Sequence, residues 1–140
     1  MDFELRELPN NPYSLGIVLR FLANHEPFSE FEFGATTKSV FYQMRSNSYF
    51  VCVKDDQVAG YLGWIRTSDE KGQAWLNEGA PLTADPSATA VAVTIFAVDE
   101  RRFIRPMIRY AKKREPGQTV YWKRYYQDGR APTSKIVEVE

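Results

Sequence analysis

Leu15, Val18, Leu19 and Leu22 recur at the three- and four-residue spacing that puts apolar side chains on one helical face. Asn11-Pro12 supplies an N-cap and a proline for the first helical position, so a helix is predicted over residues 12–24. Asn24-His25-Glu26-Pro27 ends it, because proline drives the residue before it out of the helical conformation; His25 is left at a helix-to-loop boundary. Val40, Phe41 and Met44 predict a second helix over residues 34–46, stopped by Ser46-Asn47-Ser48. The pattern then changes to two β-rich runs, 49–54 and 57–66. Joined across Asp55-Asp56, they predict an antiparallel hairpin with a carboxylate-rich turn. Gly60 and Gly63 within the second run point to a bulge or a close backbone approach.

Ser68, Asp69 and Glu70 suit the start of a short helix reaching Leu76, which Gly72 weakens. Residues 79–87, with two prolines, predict a loop, and the apolar run 88–98 a central strand. Phe103, Ile104, Met107, Ile108 and Ala111 keep helical spacing among arginines and lysines. With Pro106 in the first turn, they predict a helix over 104–114, stopped by Glu115-Pro116-Gly117. Residues 119–126 and 135–139 predict a second hairpin across the loop holding Asp128-Gly129. The order α, α, β, β, α, β, α, β, β contains one strand-helix-strand unit among hairpins. Its expected closure is one α+β domain over residues 1–140, a mixed, mostly antiparallel twisted sheet with helices on both faces.

Composition narrows the classes. Apolar residues make up 44% and aromatics 14% of 140 residues, enough for a core and too much for disorder. Cys52 is the one cysteine and lies in an apolar run, which predicts a buried structural thiol and excludes a disulfide framework. With one histidine and one cysteine, no metal site is expected. The N-terminus lacks the pattern of a signal peptide and no apolar run reaches membrane-spanning length, so a cytoplasmic location is the expectation. The zero formal charge hides an asymmetry: residues 1–99 hold 7 Lys and Arg against 13 Asp and Glu, and residues 100–140 hold 11 against 5. The basic end is where an anionic partner would dock, or else a solvated helix face.

Among the candidates for chemistry, His25 is the only histidine, and histidine is the side chain whose ordinary pKa makes it a ready acid or base near neutrality. A P-loop and a dinucleotide glycine fingerprint are absent. Tyr121-Trp122-Lys123-Arg124-Tyr125-Tyr126 interleaves aromatics with cations, as nucleic-acid binders do. Alternation along a strand accounts for much of that pattern, with Val120, Trp122, Arg124 and Tyr126 on one face and Tyr121, Lys123 and Tyr125 on the other; nucleic acid is therefore not the expected partner.

His25-Glu26-Pro27-Phe28-Ser29, Asn47-Ser48-Tyr49 and Gly60-Tyr61-Leu62-Gly63-Trp64 follow one another with the order and spacing of the toxin-activating lysine acyltransferases. In that family a histidine ending the first helix precedes a second helix, an Asn-x-Tyr strand start, a turn, and a small residue followed by Tyr-x-x-Trp. The resemblance continues through Phe96-Ala97 and Met107-Ile108-Arg109-Tyr110-Ala111-Lys112-Lys113 and covers roughly residues 12–130. It implies a GNAT-like fold and transfer of a fatty acyl group from acyl carrier protein to a lysine ε-amine of a protein substrate, with no bound cofactor. His25 would take the proton of the lysine ammonium, directly or through water, or first accept the acyl group. Arg101, Arg102, Arg105 and Arg109 would face the acidic carrier, and apolar strand residues would line an acyl groove. A homodimer is compatible with this reading.

Two positions depart from the family. Its histidine is paired with an aspartate on the central strand, and the corresponding residue here is Thr94, which holds no charge. Asp99 is the next carboxylate, but five residues of strand span about 17 Å, so it substitutes only if the alignment slips or the strand ends early. The family's small hydroxyl residue before the histidine is missing, Leu22 and Ala23 occupying that region. The alternative is a catalytically silent GNAT-like module that binds a protein or nucleic acid. An acetyltransferase using coenzyme A is a third reading, disfavoured because Asp99-Glu100-Arg101-Arg102 brings two carboxylates and no glycine to the place of a phosphate loop.

Overall fold

The computed structural model describes residues 2–85, 90–124 and 133–138. Asn11 caps the first helix, α1 (Pro12–Leu22), its Oδ1 accepting the Ser14 N–H at 2.8 Å with Pro12 in the first turn. Helix α2 (Phe33–Arg45) leads into the hairpin of β2 (Tyr49–Lys54) and β3 (Gln57–Thr67). Asp55 and Asp56 both take positive φ, 53° and 61°, the left-handed pair that a tight two-residue hairpin turn requires. Beyond lie α3 (Asp69–Glu78), β4 (Ala90–Val98), α4 (Ile104–Arg114), β5 (Thr119–Arg124) and β6 (Thr133–Glu138). The expected strand start at Ala88, the pair Tyr125-Tyr126 and the loop Asp128-Gly129 lie outside the described residues.

One strand was not expected. β1 (Phe3–Arg6) pairs antiparallel with β2 from Phe3 opposite Lys54 to Arg6 opposite Val51. It forms an edge of the sheet, and Glu4 and Arg6 give it the charge that discourages edge-to-edge pairing with another chain. The sheet has the order β1-β2-β3-β4-β5-β6, antiparallel throughout except for the parallel pair β4 and β5 that α4 connects.

Helices cover both faces of the sheet. Val18 and Leu22 of α1 and Val40 and Met44 of α2 pack on Tyr49, Val51 and Tyr61. On the other face Phe103 and Met107 pack on Phe50, Cys52, Leu62 and Trp64. β2 therefore alternates between two cores and is apolar on both sides, as a central strand should be. Cys52 is buried as expected, and burial pushes its thiol up to about 11. No helix among the described residues is long and apolar enough to cross a membrane.

Gly72, expected to weaken α3, instead allows it to dock. A Cβ there would stand 2.6 Å from the Tyr121 ring, whose hydroxyl donates to Asp69 Oδ1 at 2.7 Å in the first turn of the same helix. The helix accordingly runs on to Glu78 and ends at Gly79, with φ of 67°. Gly63 has the same function on β3, where a Cβ would run into the Gln43 amide and come within 2.9 Å of the Tyr61 ring. Gln43 is held at both ends by hydrogen bonds and cannot swing away. Gly63→Ala should therefore cost about 1–3 kcal/mol, read as a lower midpoint in urea with unchanged slope; a midpoint equal to wild type would show that Gln43 moves without penalty.

Candidate functional site

The register between β3 and β4 breaks at one residue. Gly63 stands opposite Ile95 and Trp64 opposite Val93, so Thr94 has no counterpart and forms a bulge in β4. The extra residue exchanges the faces of the strand. Val91 and Val93 point toward α4, whereas Ile95 and Ala97 point toward α1 and α2. The pairing of β4 with β5 stops at the same place: it runs from Ala90 opposite Thr119 to Val93 opposite Trp122. Both strands continue, β4 to Val98 and β5 to Arg124, without further pairing between them. Among the described residues, the outer edge of β4 from Thr94 onward has no strand beside it.

At the bulge the Thr94 hydroxyl accepts a hydrogen bond from Gln43 Nε2 at 2.8 Å, and Gln43 Oε1 accepts from the Tyr61 hydroxyl at 2.6 Å. Gln43 and Tyr61 are fully buried. Burial, followed by the neighbouring Tyr49, holds the Tyr61 phenol well above its ordinary value, so Tyr61 remains a donor. The amide orientation follows from that donor, and Thr94 keeps its own proton to donate elsewhere. The sequence reading had not singled out Gln43. Its signals were a polar residue on the inward face of α2, between Val40 and Met44, and the glycine facing it.

His25 lies three residues beyond α1, its N–H bonded to the Leu22 carbonyl and its ring 4.3 Å from that of Phe21. Its Nε2 meets Asp99 Oδ1 at 2.8 Å, with the histidine side chain 19% and the aspartate 50% exposed. Asp99 is fixed just past the end of β4 by its own N–H, which donates to the Ala59 carbonyl at 2.8 Å. Thr94, expected opposite the histidine, is bound to Gln43 instead. The turn after α1 carries the imidazole to the end of β4, about 17 Å along the strand from the bulge. Beside the pair opens a polar cleft of about 630 Å³, lined among others by Arg6, Arg20, Asn24, Asp56 and Gln57.

The four arginines of the basic segment separate into two groups. Arg102 is tied down: it grips both oxygens of Asp2 at 2.8 and 2.7 Å, donates to Glu100 at 2.8 Å, and lies over the Phe103 ring. Glu100 also takes Lys54 at 3.0 Å. Arg101, Arg105 and Arg109 are exposed, and with Lys112 and Lys113 they form a cationic stripe along the outer face of α4. No group of three His, Cys, Asp or Glu side chains among the described residues could hold a metal ion.

The Arg102 guanidinium holds the Asp2 carboxyl down to about 2. Since the folded value lies below the ordinary one, this contact helps to hold β1 above about pH 4 and is lost as pH falls toward 2. Amide protection of Phe3–Arg6, taken relative to the intrinsic exchange rate at each pH, should fall through that window, and Asp2→Asn should abolish the pH step; a step that persists in the variant would assign it to another carboxylate.

No family model and no curated protein matches the chain. Solved structures do. The chain is similar to the GphF GNAT-like decarboxylase in complex with isobutyryl-CoA, at 16% identity and a TM-score of 0.68 over 89% of this chain and 67% of that one. It is similar to the loading GNATL domain of CurA from Lyngbya majuscula, at 14% identity and 0.61 over 91% and 67%. A GNAT family acetyltransferase from Brucella melitensis in complex with acetyl-CoA matches at 10% identity and 0.59 over 97% and 87%. Identities this low speak for architecture rather than activity: the chain has a GNAT-like fold.

Proposed function

We propose that the protein is an acyltransferase that moves a fatty acyl group from acyl carrier protein to the ε-amine of a lysine on a protein substrate. The observation that carries this reading is the open edge of β4, which among the described residues is unpaired beyond Thr94, where β5 leaves it. A pantetheine arm is extended and bears amides, so it can pair with that edge as an added strand would. From Thr94 to the end of β4 at Val98 is about 14 Å, within the reach of such an arm. With the arm so laid, the thioester carbonyl lies at the bulge and receives the Thr94 hydroxyl proton in a hydrogen bond. The amine nitrogen attacks the carbonyl carbon, the C–S bond breaks, and the arm leaves as a thiol with the proton that the amine gives up.

The exposed stripe of Arg101, Arg105, Arg109, Lys112 and Lys113 supports an acidic carrier as donor. Coenzyme A fits less well. Its diphosphate would bring two negative charges next to Asp99 and Glu100, which precede α4, where Arg102 is engaged by Asp2 and Glu100 and Arg101 is exposed. A carrier presents one phosphodiester in that place, within range of Arg101. No step is therefore routed through coenzyme A. The lysine acceptor rests on the resemblance carried by His25-Glu26-Pro27-Phe28-Ser29, Asn47-Ser48-Tyr49 and Gly60-Tyr61-Leu62-Gly63-Trp64.

His25 supports a second placement of the same reaction. An imidazole oriented by a carboxylate is suited to take the ammonium proton, yet it stands too far from Thr94 to act on a thioester at the bulge. Direct proton transfer requires the thioester at the outer end of the opening, with the acyl chain along β4. Intact-mass measurement of a lysine-bearing partner incubated with acylated carrier separates the two. Thr94→Val should slow transfer roughly 100-fold or more if the carbonyl lies at the bulge, and His25→Ala should do so if it lies at the outer end. Full transfer by both variants contradicts the proposal. Arg105→Glu with Arg109→Glu should weaken carrier docking about tenfold at low salt; carrier docking without any transfer by the wild-type protein would instead identify a silent binding module.

A further inference from the structure

Beneath α4, on the face opposite α1 and α2, lies a cavity of about 220 Å³ lined by Trp64, Val91, Val93, Ile108, Ala111 and Trp122. A dry apolar cavity of about 150 Å³ already takes a benzene-sized ligand, so this one is large enough for several methylenes and unsuited to water. Its position ties it to the opening between the strands. Val93 and Trp122 form the last residue pair of β4 and β5, and both line the cavity; the next residue is Thr94. The cavity therefore begins at the residue pair next to the bulge.

The far end of the cavity has no charge to offer a ligand. Glu115 lies there, but its Oε1 accepts from Trp64 Nε1 at 2.9 Å and is paired with Arg66 at 2.5 Å. Lys112 contributes to the rim, its exposed position on α4 placing the ammonium toward solvent and leaving the stem to the wall. An occupant therefore ends in hydrocarbon rather than in a carboxylate or an amine. Phe96 of β4 and Trp122 of β5 stack beside the cavity, their ring centroids 6.1 Å apart and their planes 29° from parallel.

We propose that this cavity receives the tail of the donor's acyl group and limits its length, with Ala111 and Ile108 of α4 as the residues that set the limit. The inference rests on the reading that the donor lies along the open edge of β4. Each methylene buried there should raise affinity about fourfold, until the cavity is full.

The test is a titration of S-acyl-pantetheines of increasing chain length, followed by tryptophan fluorescence, with octanol as an arm-free probe. Circular dichroism verifies that each variant is folded. Affinity should climb with chain length to a limit. Ala111→Leu should shorten that limit by about three carbons, the heavy atoms it adds, and Ile108→Ala should lengthen it, while S-acetyl-pantetheine binds equally to all three proteins. Binding that is independent of chain length, or a limit that neither variant moves, overturns the assignment while leaving the donor reading intact. If octanol binds and Ala111→Leu expels it, but no acyl-pantetheine binds, the cavity is an apolar site of another kind and the donor reading itself fails.

Discussion

β4 follows β3 along its whole length but follows β5 for only four residue pairs, and both facts meet at Thr94. A strand with one residue more than its neighbour must bulge, and the bulge turns every later side chain to the opposite face. Here the exchange is compatible with the core because β4 is apolar on both sides. Val91 and Val93 serve the core under α4, and Ile95 and Ala97 serve the core under α1 and α2. The same residue marks the point at which β4 and β5 cease to pair, exposing a stretch of main chain between two packed layers. The Tyr61-Gln43-Thr94 chain fastens the bulge from the α2 side, and Gly63 leaves the space that Gln43 fills.

Three features belong to that opening or to the elements that bound it. The cationic stripe of α4 lies outside it, the His25-Asp99 pair lies at the end of β4, and the apolar cavity begins where the strands are last joined. An amphiphilic donor has the same sequence of parts: a charged carrier, an amide-bearing arm, a polar thioester and a hydrocarbon tail. The correspondence in order is what recommends acyl transfer over simple binding.

Much of this frame was legible in the sequence, and the reasons differ by element. The helix over 104–114 was read with its observed bounds because cations and apolar residues contrast sharply at helical spacing. Pro27 placed His25 outside a helix, and Asp55-Asp56 marked the hairpin turn. β1 escaped notice because four residues are too few for a period to register. The bulge at Thr94 was invisible for a related reason: Val-Ala-Val-Thr-Ile-Phe-Ala has no alternation to interrupt, so the change of face leaves no trace. The bulge that Gly60 and Gly63 predicted within the second run falls at Ala59 of β3, left over between the pairs Cys52–Gly60 and Val53–Val58. The contact of His25 with Asp99 joins residues 74 apart in the chain and depends on how the turn after α1 meets the end of β4, which no local pattern encodes.

The open edge of β4 is the feature on which donor binding depends. Residue-resolved amide exchange of the folded protein, with and without acylated carrier protein, reads that edge directly. Protection should appear at amides within residues 94–98 that point away from β3, with those around His25 and Arg6 little changed. Protection confined to the polar cleft around His25, with the edge of β4 exchanging as before, would contradict that dependence.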